Sequence, residues 1–82
     1  MPRYELKLPD LGIDDQPIAV SLWLVKQGAR VSEGEPIIEV LCGAATVDLP
    51  APIDGILVEK SVAEDEILQV GQKLAVFETS DE

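Results

Sequence analysis

The chain has 82 residues, 46% of them hydrophobic, which is enough for one compact domain with a modest core. Six lysines and arginines stand against 16 aspartates and glutamates, so the formal net charge is -10. A charge of this sign repels nucleic-acid phosphates and anionic lipid headgroups, and it argues against both as partners.

Cysteine content and hydropathy indicate the cellular compartment in which the chain is expected. The single cysteine, Cys42, cannot form an intrachain disulfide, so the fold depends on packing and nothing indicates an oxidising compartment. The longest apolar run, residues 18–25, is far shorter than the roughly 20 residues that span a bilayer. No basic segment precedes an apolar stretch at the start, so no secretory signal is expected. Cytoplasm is the default prediction.

Short runs rich in Val, Ile and Leu, separated by glycine and proline turns, predict β-strands along the chain. No window shows a sustained 3.6-residue apolar period bounded by caps, so a helical domain is not expected. In chain order, the predicted strands are residues 4–8, 18–25, 36–42, 46–49, 55–62 and 73–79. We therefore predict an all-β domain, either a flattened β-barrel or a sandwich.

The second half of the chain echoes the first at an offset of 37 residues, with residues 25–40 matching residues 62–77. Gly34 aligns with Gly71, and Val40 aligns with Phe77. A few glycine and aliphatic matches also arise by chance in β-rich sequences. If the repeat is genuine, each half contributes one sheet with a buried face, because neither half can bury that face alone. The two termini are then expected to lie together.

Four sequence motifs occur along the chain in a characteristic order and spacing. They are LPDLG at 8–12, WLVKQGARVSEGEPIIEV at 23–40, ATVDLPAPIDG at 45–55 and VGQKLAVFE at 70–78. Together they resemble the lipoyl domain of 2-oxo acid dehydrogenase E2 acyltransferases, with biotin carrier domains as more distant relatives. The resemblance implies a flattened β-barrel of two antiparallel sheets with quasi-twofold symmetry over residues 1–79. Residues 80–82 are then a C-terminal tail or the start of a linker.

The modification hairpin departs from the family pattern. In the family this hairpin reads E-T-D-K-A, and lipoic acid is joined to its lysine by an amide. The matching positions here are Leu41, Cys42, Gly43, Ala44 and Ala45. An alanine methyl cannot act as the nucleophile in amide formation, so we expect no lipoyl group at Ala44. Both acidic neighbours of the lysine are absent as well, replaced by Leu41 and Gly43.

Other amines and the cysteine offer weaker alternatives. The biotin pattern M-K-M is no closer, and Lys26, Lys60 and Lys73 lie in other segments without the flanking context. Lys7 lies near the termini. Cys42 could be a thioester or redox carrier, but a reactive thiol requires nearby cations, and a small buried hydrophobic residue is the simpler interpretation.

The apolar tip has two interpretations that the sequence leaves open. Exposed aliphatic side chains would make it a docking point for another protein or a second copy. Alternatively, the tip reflects relaxed selection, or the turn folds back over its own side chains.

The polar loop at residues 14–16 corresponds to one that, in the relatives, lies close to the lysine and is recognised by partner enzymes. A solvated loop is the simpler account. Trp23 is expected to pack.

Catalysis by this chain is not expected. The chain has no histidine, and no serine or cysteine lies in an activating motif. We predict no catalytic, cofactor-binding or metal-binding residues. The predicted function is a lipoyl-domain-like module that is not lipoylated and acts in protein interaction or structure. The alternative is a carrier domain of an E2 component with a replaced or disabled hairpin, located in the mitochondrial matrix if the complex is eukaryotic.

Overall fold

The computed structural model describes residues 2–12 and 16–79, and these form an all-β sandwich. In chain order the strands are β1 (Arg3–Lys7), β2 (Ile18–Trp23), β3 (Arg30–Val31), β4 (Pro36–Cys42), β5 (Ala45–Pro50), β6 (Gly55–Lys60), β7 (Ile67–Leu68) and β8 (Lys73–Thr79). Sheet A has the order β1-β8-β6-β3, and sheet B has the order β5-β4-β2-β7. All the pairings are antiparallel. The prediction of two antiparallel sheets is confirmed. Among the described residues, no helix is long and apolar enough to cross a membrane.

The repeat seen in the sequence is a structural repeat. Adding 37 to the bounds of β2, β3 and β4 gives the bounds of β6, β7 and β8. The strand orders of the two sheets correspond as well: β8, β6 and β3 of sheet A have β4, β2 and β7 as counterparts in sheet B, and β5 takes the place of β1. Hydrogen bonds repeat too: Leu24 N donates to Ile37 O at 2.9 Å, and Ser61 N donates to Leu74 O at 2.9 Å. The predicted quasi-twofold symmetry is confirmed.

The expectation that each half supplies one sheet is wrong. Sheet A takes β1 and β3 from the first half and β6 and β8 from the second, and sheet B is assembled in the same mixed way. The reason is that the long strands pair within a half, β2 with β4 and β6 with β8, whereas the strands on either side of each such pair come from the other half. In sheet A these are β1 and β3, which pair with β8 and β6. Because the halves are interleaved, neither can form a complete sheet alone.

One continuous core fills the space between the two sheets. Its buried members are Leu8, Ile18, Val20, Val31, Ile37, Ile38, Val40, Cys42, Leu49, Ala51, Leu57, Val62, Leu68, Leu74, Ala75 and Phe77. Alternation along β4 shows how the strands contribute: Val40 and Cys42 are buried, whereas Leu41 between them is exposed. A period of two places one face of each strand against the core and the other against solvent.

The described ends of the chain lie together. Arg3 in β1 is opposite Glu78 in β8, and Thr79 N donates a hydrogen bond to Pro2 O at 3.1 Å. The prediction of adjacent termini is confirmed. The predicted tail at residues 80–82 lies outside the described residues.

Candidate functional site

The hairpin between β4 and β5 is the position at which the sequence resemblance locates the modified lysine. Cys42 and Ala45 form the last cross-strand pair, so the turn consists of Gly43 and Ala44 alone. Gly43 has φ of 63°, in the region that a side chain disfavours, and two-residue hairpin turns commonly require such a residue in their first position. The glycine therefore allows the two strands to connect this tightly.

The turn presents its small side chains to solvent. Gly43, Ala44 and Ala45 are exposed, and Leu41 retains 40% of its accessible surface. The turn therefore does not fold back over its own side chains, and that interpretation is wrong. Cys42 is 4% exposed and belongs to the core, which agrees with a packing role for its thiol.

The end of the polar loop reaches this turn. A methyl group placed on Gly43 would lie 2.6 Å from Oε1 of Gln16, so the Gln16 side chain is directly beside the glycine. Gln16 is thus close to the tip, which agrees with the loop position that the resemblance implies. The acidic residues at positions 14 and 15 lie outside the described residues. The resemblance placed a loop that includes Gln16 near the tip, although a solvated loop was the simpler account, and it did not single out Gln16 as the contact.

The hairpin residues do not fit a lipoyl or biotinyl group. Either group requires a primary amine at the tip, and Ala44 offers a methyl. The four lysines stand elsewhere: Lys7 ends β1, Lys60 ends β6, Lys73 begins β8, and Lys26 precedes the turn at Gly28. The Lys73 ammonium lies 3.7 Å from a carboxylate oxygen of Glu59.

The described residues also show no site for metal chemistry. Across residues 2–12 and 16–79, no three Cys, Asp or Glu side chains converge in a way that would hold a metal ion. The carboxylates of the turns instead accept hydrogen bonds from the backbone. Ser32 N donates to Oε1 of Glu35 at 3.0 Å, and Ala63 N donates to Oε1 of Glu66 at 2.9 Å. These acidic side chains stabilise turns.

Trp23 packs against the core, as predicted, and it joins the two halves. Its Nε1 donates to Val62 O at 3.1 Å, and the Lys60 ammonium lies 5.1 Å from the ring centroid. Trp23 and Lys60 are 37 residues apart and are therefore counterparts in the repeat. Their mutual contact places both near the quasi-twofold axis. The offset of 37 residues pairs these two positions, but only the structure shows that they are in contact.

Comparisons with known proteins agree with this geometry. The family model described as "Biotin-requiring enzyme" matches residues 4–77. The chain is 33% identical over 75 residues to a dihydrolipoyllysine-residue acetyltransferase component of the pyruvate dehydrogenase complex from Bacillus subtilis, covering 92% of this chain and 17% of that protein.

Two further relatives are similar over most of this chain. A protein of the same description from Mycobacterium bovis is 37% identical over 68 residues, covering 83% of this chain and 12% of the relative. The lipoamide acyltransferase component of the branched-chain alpha-keto acid dehydrogenase complex from Pseudomonas putida is 28% identical over 78 residues, covering 95% and 18% respectively. The chain thus spans less than a fifth of the length of these relatives. With a family match over residues 4–77 and a sandwich that repeats about a quasi-twofold axis, the chain belongs to the biotin/lipoyl attachment domain family.

Proposed function

We propose that this chain is a lipoyl-domain-like module of the 2-oxo acid dehydrogenase E2 type that carries no lipoyl group. It acts as a protein-interaction or structural module. The observation that carries the proposal is Ala44, an exposed alanine in the second position of the two-residue turn. No amide can form on its methyl group, whereas the surrounding β-sandwich is complete.

Two features support an interaction role. The tip exposes Leu41 next to the small residues of the turn, so it presents apolar surface where the family pattern has charge. The relatives named above are acyltransferase components more than five times the length of this chain, so the chain corresponds to a small part of each. The chain is thus proposed as a non-catalytic domain. Its cytoplasmic location remains a prediction from cysteine content.

A second candidate function is a carrier domain of an E2 component whose attachment hairpin has been replaced. It is favoured by one observation: the hairpin retains a tight, exposed two-residue turn closed by Cys42 and Ala45. A lysine at position 44 would thus project from the tip into solvent. On this reading the loss is confined to the turn, and the rest of the module still fits a carrier.

Mass spectrometry tests the proposal. The chain is incubated with lipoate, ATP and a lipoate ligase, with a lysine-bearing lipoyl domain as the positive control. We expect no mass increase for this chain and complete modification of the control. A stoichiometric lipoyl adduct on any residue of this chain would refute the proposal, and peptide mapping would then identify the amine.

A further inference from the structure

The outer face of sheet B carries a row of uncharged, mostly aliphatic side chains beside the hairpin. Ala19 in β2 is directly opposite Leu41 in β4 on one side and Ile67 in β7 on the other, and Thr46 in β5 is opposite Leu41. Directly opposite residues of antiparallel strands project from the same face with their Cβ atoms about 5 Å apart. These four residues, Thr46, Leu41, Ala19 and Ile67, are called the sheet B row.

The sheet B row faces solvent. Ile67 retains 62% of its accessible surface and Leu41 retains 40%, whereas the flanking core residues of the same strands are buried. Leu22 extends the surface, because it pairs with Glu39, two residues from Leu41 along β4, and is 45% exposed. Three large aliphatic side chains are therefore exposed on one sheet face, which is the type of surface that marks an interaction site.

The quasi-twofold symmetry supplies an internal control. On sheet A the equivalent row reads Arg3, Glu78, Ile56 and Arg30, joined by the same cross-strand register. Glu78 stands for Leu41 and Arg30 stands for Ile67. Nε of Arg3 lies 3.2 Å from a carboxylate oxygen of Glu78, so this row carries an ion pair. The fold accepts charged residues at these positions, and the aliphatic residues on sheet B are not required by packing.

The charge around the sheet B row indicates what would cover it. The next row of the same face pairs Glu39 with Asp48, and neither row contains a lysine or arginine. The whole chain has a net charge of -10. Two copies would bring like charges together, which costs free energy and disfavours self-association through this face. A partner with aliphatic side chains surrounded by basic residues complements both the apolar row and its acidic border.

We infer that the sheet B row, with Leu22, is a docking surface for a protein segment that presents aliphatic side chains flanked by lysine or arginine. This inference rests on the proposed function, because it specifies the surface and the partner chemistry of the interaction module. It moves the main contact from the hairpin tip to the sheet face beside it. The tip itself supplies only small side chains, whereas Ile67 and Leu41 supply the apolar area.

A peptide titration tests the inference. The ¹⁵N-labelled chain is titrated with a short peptide of alternating leucine and lysine, and in parallel with leucine–glutamate and serine–lysine peptides of equal length. We expect amide shift changes at Ala19, Leu41 and Ile67 with the leucine–lysine peptide. The other two peptides should bind at least about tenfold more weakly, because each lacks one of the two complementary features. Added salt should weaken binding.

Matched variants locate the surface. Ile67→Glu should reduce affinity for the leucine–lysine peptide at least about tenfold. It should also fold, since its counterpart Arg30 is charged. Val70→Glu makes the same charge change at a residue that is 58% exposed and outside the row, and its affinity should stay within about twofold of the parent. Circular dichroism of both variants checks folding.

Several results would overturn the inference. These are equal shift changes on the two sheets, unchanged affinity in folded Ile67→Glu, equal loss in Val70→Glu, or a dimer in sedimentation that Ile67→Glu abolishes. The lipoate assay is independent of this titration. A lipoyl adduct would refute the proposed function without moving the shift pattern. Absent binding with no adduct would refute the docking surface alone.

Discussion

The hairpin allows a quantitative prediction for restoring an amine at the tip. Ala44 is exposed and does not have a positive φ, so a lysine there meets neither a steric nor a backbone penalty. We expect Ala44→Lys to change the free energy of unfolding by less than about 0.5 kcal/mol, as is usual for exposed positions. The new side chain extends into solvent from the second position of the turn.

Restoring the acidic neighbour as well has a different cost. Gly43 has φ of 63°, and a Cβ there would lie 2.6 Å from Oε1 of Gln16. The Gln16 side chain is exposed and can rotate away, so the backbone conformation dominates the cost. An L-residue in this region costs about 1 to 2 kcal/mol, and aspartate tolerates it better than most. We therefore expect Gly43→Asp to destabilise the chain by about 1 kcal/mol.

The assay combines urea unfolding with lipoylation. Ala44→Lys should accept lipoate from the ligase quantitatively at parental stability, and the double variant should be modified but unfold at lower urea concentration. A folded Ala44→Lys variant that the ligase ignores would show that the module has diverged beyond its turn. Unchanged stability of Gly43→Asp would refute the argument from the positive φ of Gly43.

Three further predictions concern packing. Gly55→Ala should destabilise the fold by about 2 to 3 kcal/mol in urea unfolding, because its new Cβ would overlap the backbone carbonyl oxygen of Glu78 in the adjacent strand. Trp23→Phe should cost about 1 to 2 kcal/mol, since the hydrogen bond from Nε1 to Val62 O is lost and the cation–π contact with Lys60 is weakened. The buried thiol of Cys42 should react with a thiol reagent at least about 100-fold more slowly in the native chain than in urea.

Each of these predictions has a clear counter-result. A Gly55→Ala variant as stable as the parent would mean that β6 and β8 separate at no cost. Retained stability in Trp23→Phe would show that the hydrogen bond from Trp23 Nε1 to Val62 O contributes no net stability. Fast labelling of Cys42 in the native chain would show that the end of β4 next to the hairpin opens readily. The change of the labelling rate at low urea concentrations would then measure how much surface this opening exposes.

Sequence patterns predicted the strands because alternation and turn residues are local properties. The bounds of β4 and β8 match the predicted runs. The offset of 37 residues seen in the sequence is the one that relates β2, β3 and β4 to β6, β7 and β8. The two-residue strands β3 and β7 escaped prediction, since so short a segment has no period to detect. The interleaving of the halves also escaped it, because periodicity shows which face is buried but not which strand lies alongside.

The sequence by itself determined the fold class, the repeat and the missing amine at position 44, because each follows from residue identity and local order. Only the tertiary structure shows that the equivalent outer faces of sheet A and sheet B differ, one being charged and the other apolar. Leu41 and Glu78 occupy equivalent places, but the apolar character of one sheet face emerges only when cross-strand register sets Leu41, Ala19 and Ile67 side by side. These residues are distant in the chain, and the alternation within one strand does not show which residue of another strand lies opposite.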